Sequence, residues 1–366
     1  GGRHAADPVD PPALLALFRG GHFAALEEQL EHLLAGRPRH AFLWGLLGAA
    51  RQMRGKDGLS ALRKAAELKP ADAEAHCNVG AALHERGQIG AEHSYRRALA
   101  LDPRHARASL GLANLLAASG RTDAAEAAFR QALKLDPRHP GALLGLGDTL
   151  TRLGRLDEAE ELLRQALAGP AAAEAQLCLG NLEQKRGRAA EAEARYSAAL
   201  AIDPRLARAH NNLGSTLLGQ GRTAEAMDCF RAALRIDPGY GDAHANLGVA
   251  FARENRFAEA ESCCREALAR VPARTDFLGQ LALALREQGK REEARAVYRE
   301  WARLDAHAAE PRLGEAMLAL PIAPRDRAEA DDAPARFGEA LEELARWLDA
   351  DPSHPAALGS AVGAHQ

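Results

Sequence analysis

Aromatic residues are scarce in this chain: phenylalanine, tryptophan and tyrosine make up 4% of its 366 residues. Large rings therefore cannot supply most of the interior. Alanine and leucine are abundant instead, and small side chains and leucine suit closely packed helices. The composition favours a helical protein.

Long hydrophobic runs are also missing. A membrane-spanning helix needs about 18 or more consecutive apolar residues, and the stretch AFLWGLLGAA at 41–50 is too short. No signal peptide is visible at the amino terminus. The formal net charge is −3, whereas nucleic-acid binding needs concentrated positive charge. We therefore expect neither a membrane nor a nucleic acid as a partner.

The cysteines have neither the even count of a disulfide framework nor the spacing of metal ligands. They are Cys77, Cys178, Cys229, Cys263 and Cys264. A reducing cytoplasm is the expected location. The chain also has no glycine-rich phosphate loop, nucleophile elbow or metal-binding histidine motif. No catalytic residue, no metal ligand and no cofactor is predicted for it.

What the chain does have is a repeat. Proline recurs at intervals of 33 or 34 residues, at Pro70, Pro103, Pro137, Pro170, Pro204, Pro238 and Pro272. A fixed period of this length indicates stacked supersecondary units, which grow by adding neighbours instead of separate cores.

The residues between the prolines fit a pair of helices. An aliphatic residue precedes a small one in each unit, and another apolar residue follows three positions later, with Glu183 as the one exception. This spacing forms one apolar stripe on a helix, and the small residue lets a second helix approach closely. The small residues are Gly80, Ala113, Gly147, Gly180, Gly214, Gly248 and Ala282.

Each first helix is followed by a stop signal and a second helix. The stop is Gly87, Gly120, Gly154, Gly187, Gly221, Asn255 or Gly289. Helices commonly end on a left-handed residue, for which glycine is preferred and asparagine is the usual substitute. The second helix carries the alanine column Ala91, Ala125, Ala159, Ala192, Ala226, Ala260 and Ala294. Proline, preceded by aspartate in four of the seven cases, then ends the unit, because proline cannot continue a helix.

These columns resemble the tetratricopeptide repeat over about residues 12–320. The resemblance implies an all-α, right-handed superhelical solenoid of about nine helix pairs with a helical extension at the carboxyl end. We assign residues 1–320 to it, with degenerate first repeats at 12–72, regular repeats at 73–308 and a capping helix at 309–320. An alanine also recurs seven residues after each member of the alanine column, as at Ala233 and Ala267. Trp301 replaces it in the last unit and is expected to close the regular stack.

In tetratricopeptide arrays the first helices line a concave groove that takes extended peptides. Polar residues stand near the column glycine on these helices: Asn78, Asn114, Asp148, Asn181, Asn212, Asn246 and Gln280. Asparagine is a poor helix former, and its amide can pair with both the N–H and the C=O of a peptide. These residues are therefore the predicted peptide-binding groove. The alternative is that they bond to neighbouring repeats, and both interpretations stay open.

Two other sets of residues are assigned to packing. His76, His210 and His244 recur where the repeat often has tryptophan, and a partly buried packing role is preferred to metal binding or catalysis. Cys263 and Cys264 are adjacent and lack the gap of a redox or zinc pair.

The repeat stops after residue 320. Residues 321–337 hold three prolines and many charges and are predicted to be a linker, followed by a helical segment over 338–366 with an apolar stripe in GEALEELARWLDA. This region, ALPIAPRDRAEADDAPARFGEALEELARWL and then AVGAHQ, resembles the junction in bacterial SPINDLY-type relatives of O-GlcNAc transferase. In those proteins a glycosyltransferase domain follows.

The resemblance implies that the chain recruits protein substrates for a protein O-glycosyltransferase whose catalytic domain is absent here. The alternative is a free-standing scaffold or adapter with no enzyme attached. Under either, the expected partner is a protein or extended peptide in the concave groove, and the oligomeric state is left unassigned.

Overall fold

The computed structural model describes residues 9–318 and 327–350, with side chains over 9–318 and 334–350. Every regular element in these ranges is an α-helix, which confirms the predicted all-α fold. The chain divides into two compact units, Gly1–Arg186 and Gly187–Gln366.

Unit 1 is a succession of helices in which each packs against the next along the chain. The helices are α1 (Pro11–Arg19), α2 (Phe23–Gly36), α3 (Ala41–Met53), α4 (Leu59–Leu68), α5 (Ala73–Glu85), α6 (Ala91–Leu101), α7 (Ala106–Ala118), α8 (Thr122–Leu135), α9 (Pro140–Arg152), α10 (Leu156–Ala166) and α11 (Ala172–Lys185).

Unit 2 continues the same pattern and adds two helices. They are α12 (Ala189–Ile202), α13 (Ala207–Gly219), α14 (Thr223–Ile236), α15 (Gly241–Arg253), α16 (Phe257–Arg270), α17 (Thr275–Glu287), α18 (Arg291–Leu304), α19 (Glu310–Met317) and α20 (Arg327–Ala350).

The predicted stop signals are confirmed by the backbone. All six stop glycines have φ between 60° and 81°. Asn255 has φ 58° and is the one non-glycine residue with positive φ in the described residues. A left-handed residue at this point lets the chain leave the first helix and begin the second.

The predicted columns form the cores of both units. Column alanines such as Ala125 and Ala260 are buried, as are the bulky residues four positions later, Phe129 and Cys264. A Cβ atom at Gly214 would lie 2.7 Å from the ring of Phe230. The small column therefore exists because the next helix places a large side chain directly against it.

Ion pairs link successive repeats at a constant separation of 29 residues. In unit 1 they are Lys56–Glu27, Arg86–Asp57, Arg121–Glu92, Arg155–Glu126 and Arg186–Asp157. In unit 2 they are Arg222–Glu193 and Lys290–Glu261. Arg256 breaks the series, because buried Met227 stands 29 residues before it. Its guanidinium lies over the ring of Phe251 at 4.5 Å instead.

The helix at the carboxyl end is longer than predicted. It begins at Arg327 and includes Pro334, so residues 327–337 are helical where a linker was expected. The segment RAEADDAPARF is rich in good helix formers, which outweigh a single interior proline. The other two prolines of that segment and the rest of the expected linker, residues 321–326, lie outside the described residues, as do 351–366.

Candidate functional site

The first helices of successive pairs contact one another directly within each unit. These contacts join α3, α5, α7, α9 and α11 in unit 1, and α13, α15 and α17 in unit 2. The face that they form is called here the first-helix surface of each unit. Every predicted groove residue lies on one of these helices. Asn114 is exposed, and the other six are half-buried.

In unit 2 the asparagines bond to one another across neighbouring first helices. The Asn246 Nδ2 group donates to Asn211 Oδ1 at 2.9 Å and to Ser215 Oγ at 3.2 Å. Asn211 in turn donates to Asn212 Oδ1 at 3.2 Å. The donor group of Asn246 therefore bonds to the neighbouring repeat, whereas its Oδ1 atom has no hydrogen-bond partner among the described residues.

In unit 1 the groove residues differ among themselves. Asn78 Oδ1 accepts a hydrogen bond from Arg107, which also donates to Glu74 at 2.7 Å. Asn114 makes no hydrogen bond within the described residues, so its whole amide is available to a ligand. Asp148 and Asn181, like Asn212 in unit 2, have further interactions of their own within the chain.

Arginines at one repeat position tie the ends of neighbouring first helices together. Arg152 donates to the Ala117 carbonyl at 3.1 Å, and Arg253 donates to the Leu218 carbonyl. These carbonyls belong to the last turn of a helix, where each also accepts a hydrogen bond from the N–H of the stop glycine, Gly120 or Gly221. Sequence reasoning missed this pair, although both arginines stand five residues after the column glycine.

A cavity of about 430 Å³ lies on the first-helix surface of unit 1. Its apolar wall includes Phe18, Phe42 and Leu46. Its rim is polar and includes Asn78 and Arg107. The signal in the sequence was AFLWGLLGAA, because a helix that is apolar on every side leaves an apolar patch wherever it is not covered.

A second cavity, of about 620 Å³, lies in unit 2 among α17, α18 and α19. Gln280 lines it, and the Oε1 atom of this residue is buried without a hydrogen-bond partner. The ring of Trp301 also lines the cavity and packs against α17, where a Cβ atom at Gly279 would lie 3.0 Å from Cζ3. Trp301 thus packs at the end of the regular repeats, as predicted, and leaves an opening beside it.

A tetratricopeptide repeat family model matches residues 110–175, 177–241 and 245–309, which is more than half of the chain. A second tetratricopeptide repeat model matches residues 89–129 and 217–266. The chain belongs to the tetratricopeptide repeat family. No match was found among curated proteins.

Solved structures share the tetratricopeptide fold. The chain is similar to one in the crystal structure of the APC/C hetero-tetramer Cut9-Hcn1, with a TM-score of 0.57 and 17% identity over 81% of this chain and 58% of that one. It therefore spans less than two thirds of that relative. A tetratricopeptide repeat protein from Parabacteroides merdae ATCC 43184 gives a TM-score of 0.57 and 19% identity over 70% of this chain and 99% of that one. At these identities the likeness shows the fold alone.

The histidines at the tetratricopeptide tryptophan position have a packing role. The Nε2 atoms of His76, His210 and His244 lie 3.0–3.1 Å from the carbonyl of the proline six residues earlier. Trp44 makes the same contact through its Nε1–H group, which donates to the Pro38 carbonyl at 2.8 Å. A carbonyl only accepts, so each of these histidines carries its proton on Nε2. Tryptophan and histidine can both occupy this position because each has a ring N–H group that donates to the proline carbonyl.

Burial disfavours the thiolate form of the adjacent cysteines, Cys263 and Cys264. Burial raises the pKa of Cys263 to about 11 and that of Cys264 to about 12. Both thiols are therefore protonated at neutral pH, and Cys264 fills a core position.

Two further findings concern sites of other kinds. Within residues 9–318 and 334–350, no group of three histidine, cysteine or acidic side chains converges as metal ligands would. None of the helices in the described part of the chain combines the length and the hydropathy that a bilayer span needs.

Proposed function

We propose that this tetratricopeptide array is a protein-interaction scaffold that binds an extended polypeptide segment along its first-helix surfaces. The observation that carries this proposal is the pairing of an apolar cavity with a polar groove residue in each unit. Asn78 lines the cavity of unit 1, and Gln280 lines the cavity of unit 2. Ligand sites in proteins are typically concave and apolar, with a few polar groups that fix orientation.

The free amide atoms on these surfaces match the backbone of an extended peptide. Asn114 offers a donor and an acceptor, and Asn246 offers its Oδ1 acceptor. Each neutral hydrogen bond is worth only about 0.5–1.5 kcal/mol net, so several contacts must act together. Such contacts hold a backbone without requiring a particular side chain, and the apolar cavities then supply selectivity.

Photo-crosslinking on the intact chain tests the binding surface. A random dodecapeptide display library is first selected on the immobilised protein. A photoreactive phenylalanine analogue is then introduced at Asn114 or Leu283 on the first-helix surfaces, and at Ile202 as a matched exposed position on a second helix. Selected peptides are expected to crosslink from Asn114 or Leu283 and not from Ile202. Failure to enrich any peptide, or crosslinking from Ile202 alone, would contradict the proposal.

We further propose that the array recruits protein substrates for a SPINDLY-type O-glycosyltransferase. The support is the resemblance of residues 319–348 and 361–366 to the junction of such enzymes. The coding sequence beyond residue 366 is the first test. A reading frame without a transferase domain would exclude this proposal and support the alternative of a free-standing scaffold.

If that domain is present, first-helix variants of the whole enzyme provide the second test. Asn114→Ala combined with Asn246→Ala should lower transfer to protein substrates while leaving hydrolysis of the nucleotide sugar unchanged. Equal transfer by the variant would overturn the recruiting role.

A further inference from the structure

The cavity of unit 2 presents apolar surface to solvent. Leu283 is 40% exposed and Met317 is 45% exposed, and both line the cavity. Trp301 and Leu313 add to the same wall. Covering this surface with a large apolar side chain removes it from water, which favours association. This wall therefore suits a large apolar side chain of a ligand.

One side-chain oxygen beside this cavity lacks a hydrogen bond. Gln280 Oε1 is buried and has no partner. Leaving such a group unpaired is costly, so a ligand that supplies a donor gains more there than at a solvated amide. Because Oε1 only accepts, the N–H of a peptide backbone is a group that can satisfy it.

The charges at the rim leave one carboxylate uncompensated. Asp276 is held by Arg274 at 2.7 Å, and Arg286 pairs with Glu287 at 2.9 Å. Glu310 lines the cavity but has no cationic partner within residues 9–318 and 334–350. A lysine or arginine on the ligand therefore complements this rim better than an acidic residue does.

We propose that this cavity is a specificity pocket for an extended peptide in which a large apolar residue stands beside a basic one. The apolar side chain packs against Leu283, Met317 and Trp301. The peptide backbone bonds to the Gln280 amide, and the basic side chain reaches Glu310. The inference rests on the proposed function and names the chemistry of its partner.

Peptides selected from the random dodecapeptide library on the intact chain provide the probe. Their affinities are measured by fluorescence anisotropy for the wild type and for Gln280→Leu, Leu283→Ala and Glu310→Gln. Clones are expected to share an apolar residue next to lysine or arginine. Each of the first two variants should weaken binding about three- to tenfold. Ile202→Ala, which shortens an exposed apolar side chain on α12, is the matched control and should not change affinity.

The Glu310 contact is isolated by changing the peptide as well. Glu310→Gln should weaken binding of the basic peptide but not of the same peptide with methionine in place of its lysine or arginine. Thermal melting of every variant separates lost binding from lost folding.

The outcomes distinguish this inference from the proposal on which it rests. If peptides bind and crosslink to the first-helix surfaces but keep their affinity for Gln280→Leu and Leu283→Ala, the specificity pocket is excluded and the peptide-binding function stands. If no peptide is enriched, both proposals fail. Enriched peptides without the apolar and basic pair overturn the assigned partner chemistry.

Discussion

The two cavities differ most at one repeat position, two residues before the small column residue. In unit 1 this position is Asn78, which accepts a hydrogen bond from Arg107. In unit 2 it is Gln280, whose Oε1 atom is buried with no donor. Equivalent positions in a repeat therefore do not have equivalent roles. What decides the role is whether the next repeat supplies a partner.

The apolar walls of the two cavities also differ, because the wall is more exposed to solvent in unit 2 than in unit 1. Phe18 and Phe42 of unit 1 are half-buried against the core formed by α1 to α3. Leu283 and Met317 of unit 2 are exposed. In the unit 1 cavity the polar side chain is hydrogen-bonded and the aromatic rings pack against the core. In the unit 2 cavity the Gln280 oxygen lacks a donor and the apolar side chains are exposed, so a ligand could cover both.

The largest effect is expected beneath the unit 1 cavity. Leu62 lines that cavity and is 1% exposed, so Leu62→Ala should lower the free energy of unfolding by about 2–5 kcal/mol. Leu283→Ala at the unit 2 cavity should change it by less than about 0.5 kcal/mol. Urea unfolding followed by circular dichroism measures both. Similar losses would mean that the two cavities do not differ in packing.

The next largest effect is expected at a buried carboxylate, Glu27, whose oxygens all have hydrogen-bond donors, whereas Gln280 Oε1 has none. The side chain of Glu27 is 8% exposed and bonds to Arg51 at 3.0 Å, to Lys56 at 3.0 Å and to Arg54. The hydrogen bond from Lys56 is the largest cause of its lowered pKa. Glu27→Gln should lower the free energy of unfolding by about 1–3 kcal/mol at neutral pH.

The pH dependence of this effect follows from the direction of the shift. A carboxyl whose folded pKa is depressed stabilises the protein fully above its unfolded pKa, here near 4.5. That stabilisation is lost as the pH falls through the folded value. The difference between wild type and Glu27→Gln should therefore shrink below about pH 4.5. A difference that stays constant down to pH 3 would exclude the charge as its cause.

Substituting the equivalent amides tests the comparison directly. Gln280→Leu removes a buried acceptor without a partner and should raise the free energy of unfolding by about 1 kcal/mol. Asn78→Leu removes one acceptor of the exposed Arg107 side chain and should lower it slightly, by a few tenths of a kcal/mol. Thermal unfolding of the two variants gives the signs. If both changes have the same sign, hydrogen-bond satisfaction is not what separates the cavities.

The smallest effect is expected from Arg107→Ala. This side chain is exposed and pairs with Glu74 and Asn78, and exposed pairs contribute about 0.2–1 kcal/mol. The change frees the Asn78 amide and so makes the unit 1 cavity resemble that of unit 2. Selected peptides should gain crosslinks to this cavity, detected with the photoreactive analogue at Phe42. An unchanged crosslinking pattern would show that the hydrogen bond between Arg107 and Asn78 is not what keeps peptides out of the unit 1 cavity.

Much of the fold follows from the sequence because its determinants are local. A stop at Asn255 needs only a residue that tolerates a left-handed backbone, and the alanine columns need only the helical period. Neither of these features depends on which side chains meet across repeats. The contact of His210 with the Pro204 carbonyl was not predicted, since its position indicated only a packing role.

The candidate site was less predictable because it depends on which side chains of neighbouring repeats contact one another. Asn246 and Gln280 occupy the same column, yet Asn246 bonds to Asn211 while Gln280 meets no donor. Leu283 was recognisable only as an apolar residue in a mostly polar column. The start of α20 at Arg327 was missed because prolines and charges suggested a linker, whereas the alanines, arginines and glutamate of the segment favour helix.

The broken series of ion pairs gives the array an uneven response to salt. Interfaces joined by Arg222–Glu193 or Lys290–Glu261 weaken as ionic strength rises, since their charges are partly exposed. At Met227 the joint relies on apolar contact, which kosmotropic salts strengthen. In a sulfate buffer, therefore, the charge-paired interfaces of unit 2 should weaken while the interface at Met227 strengthens.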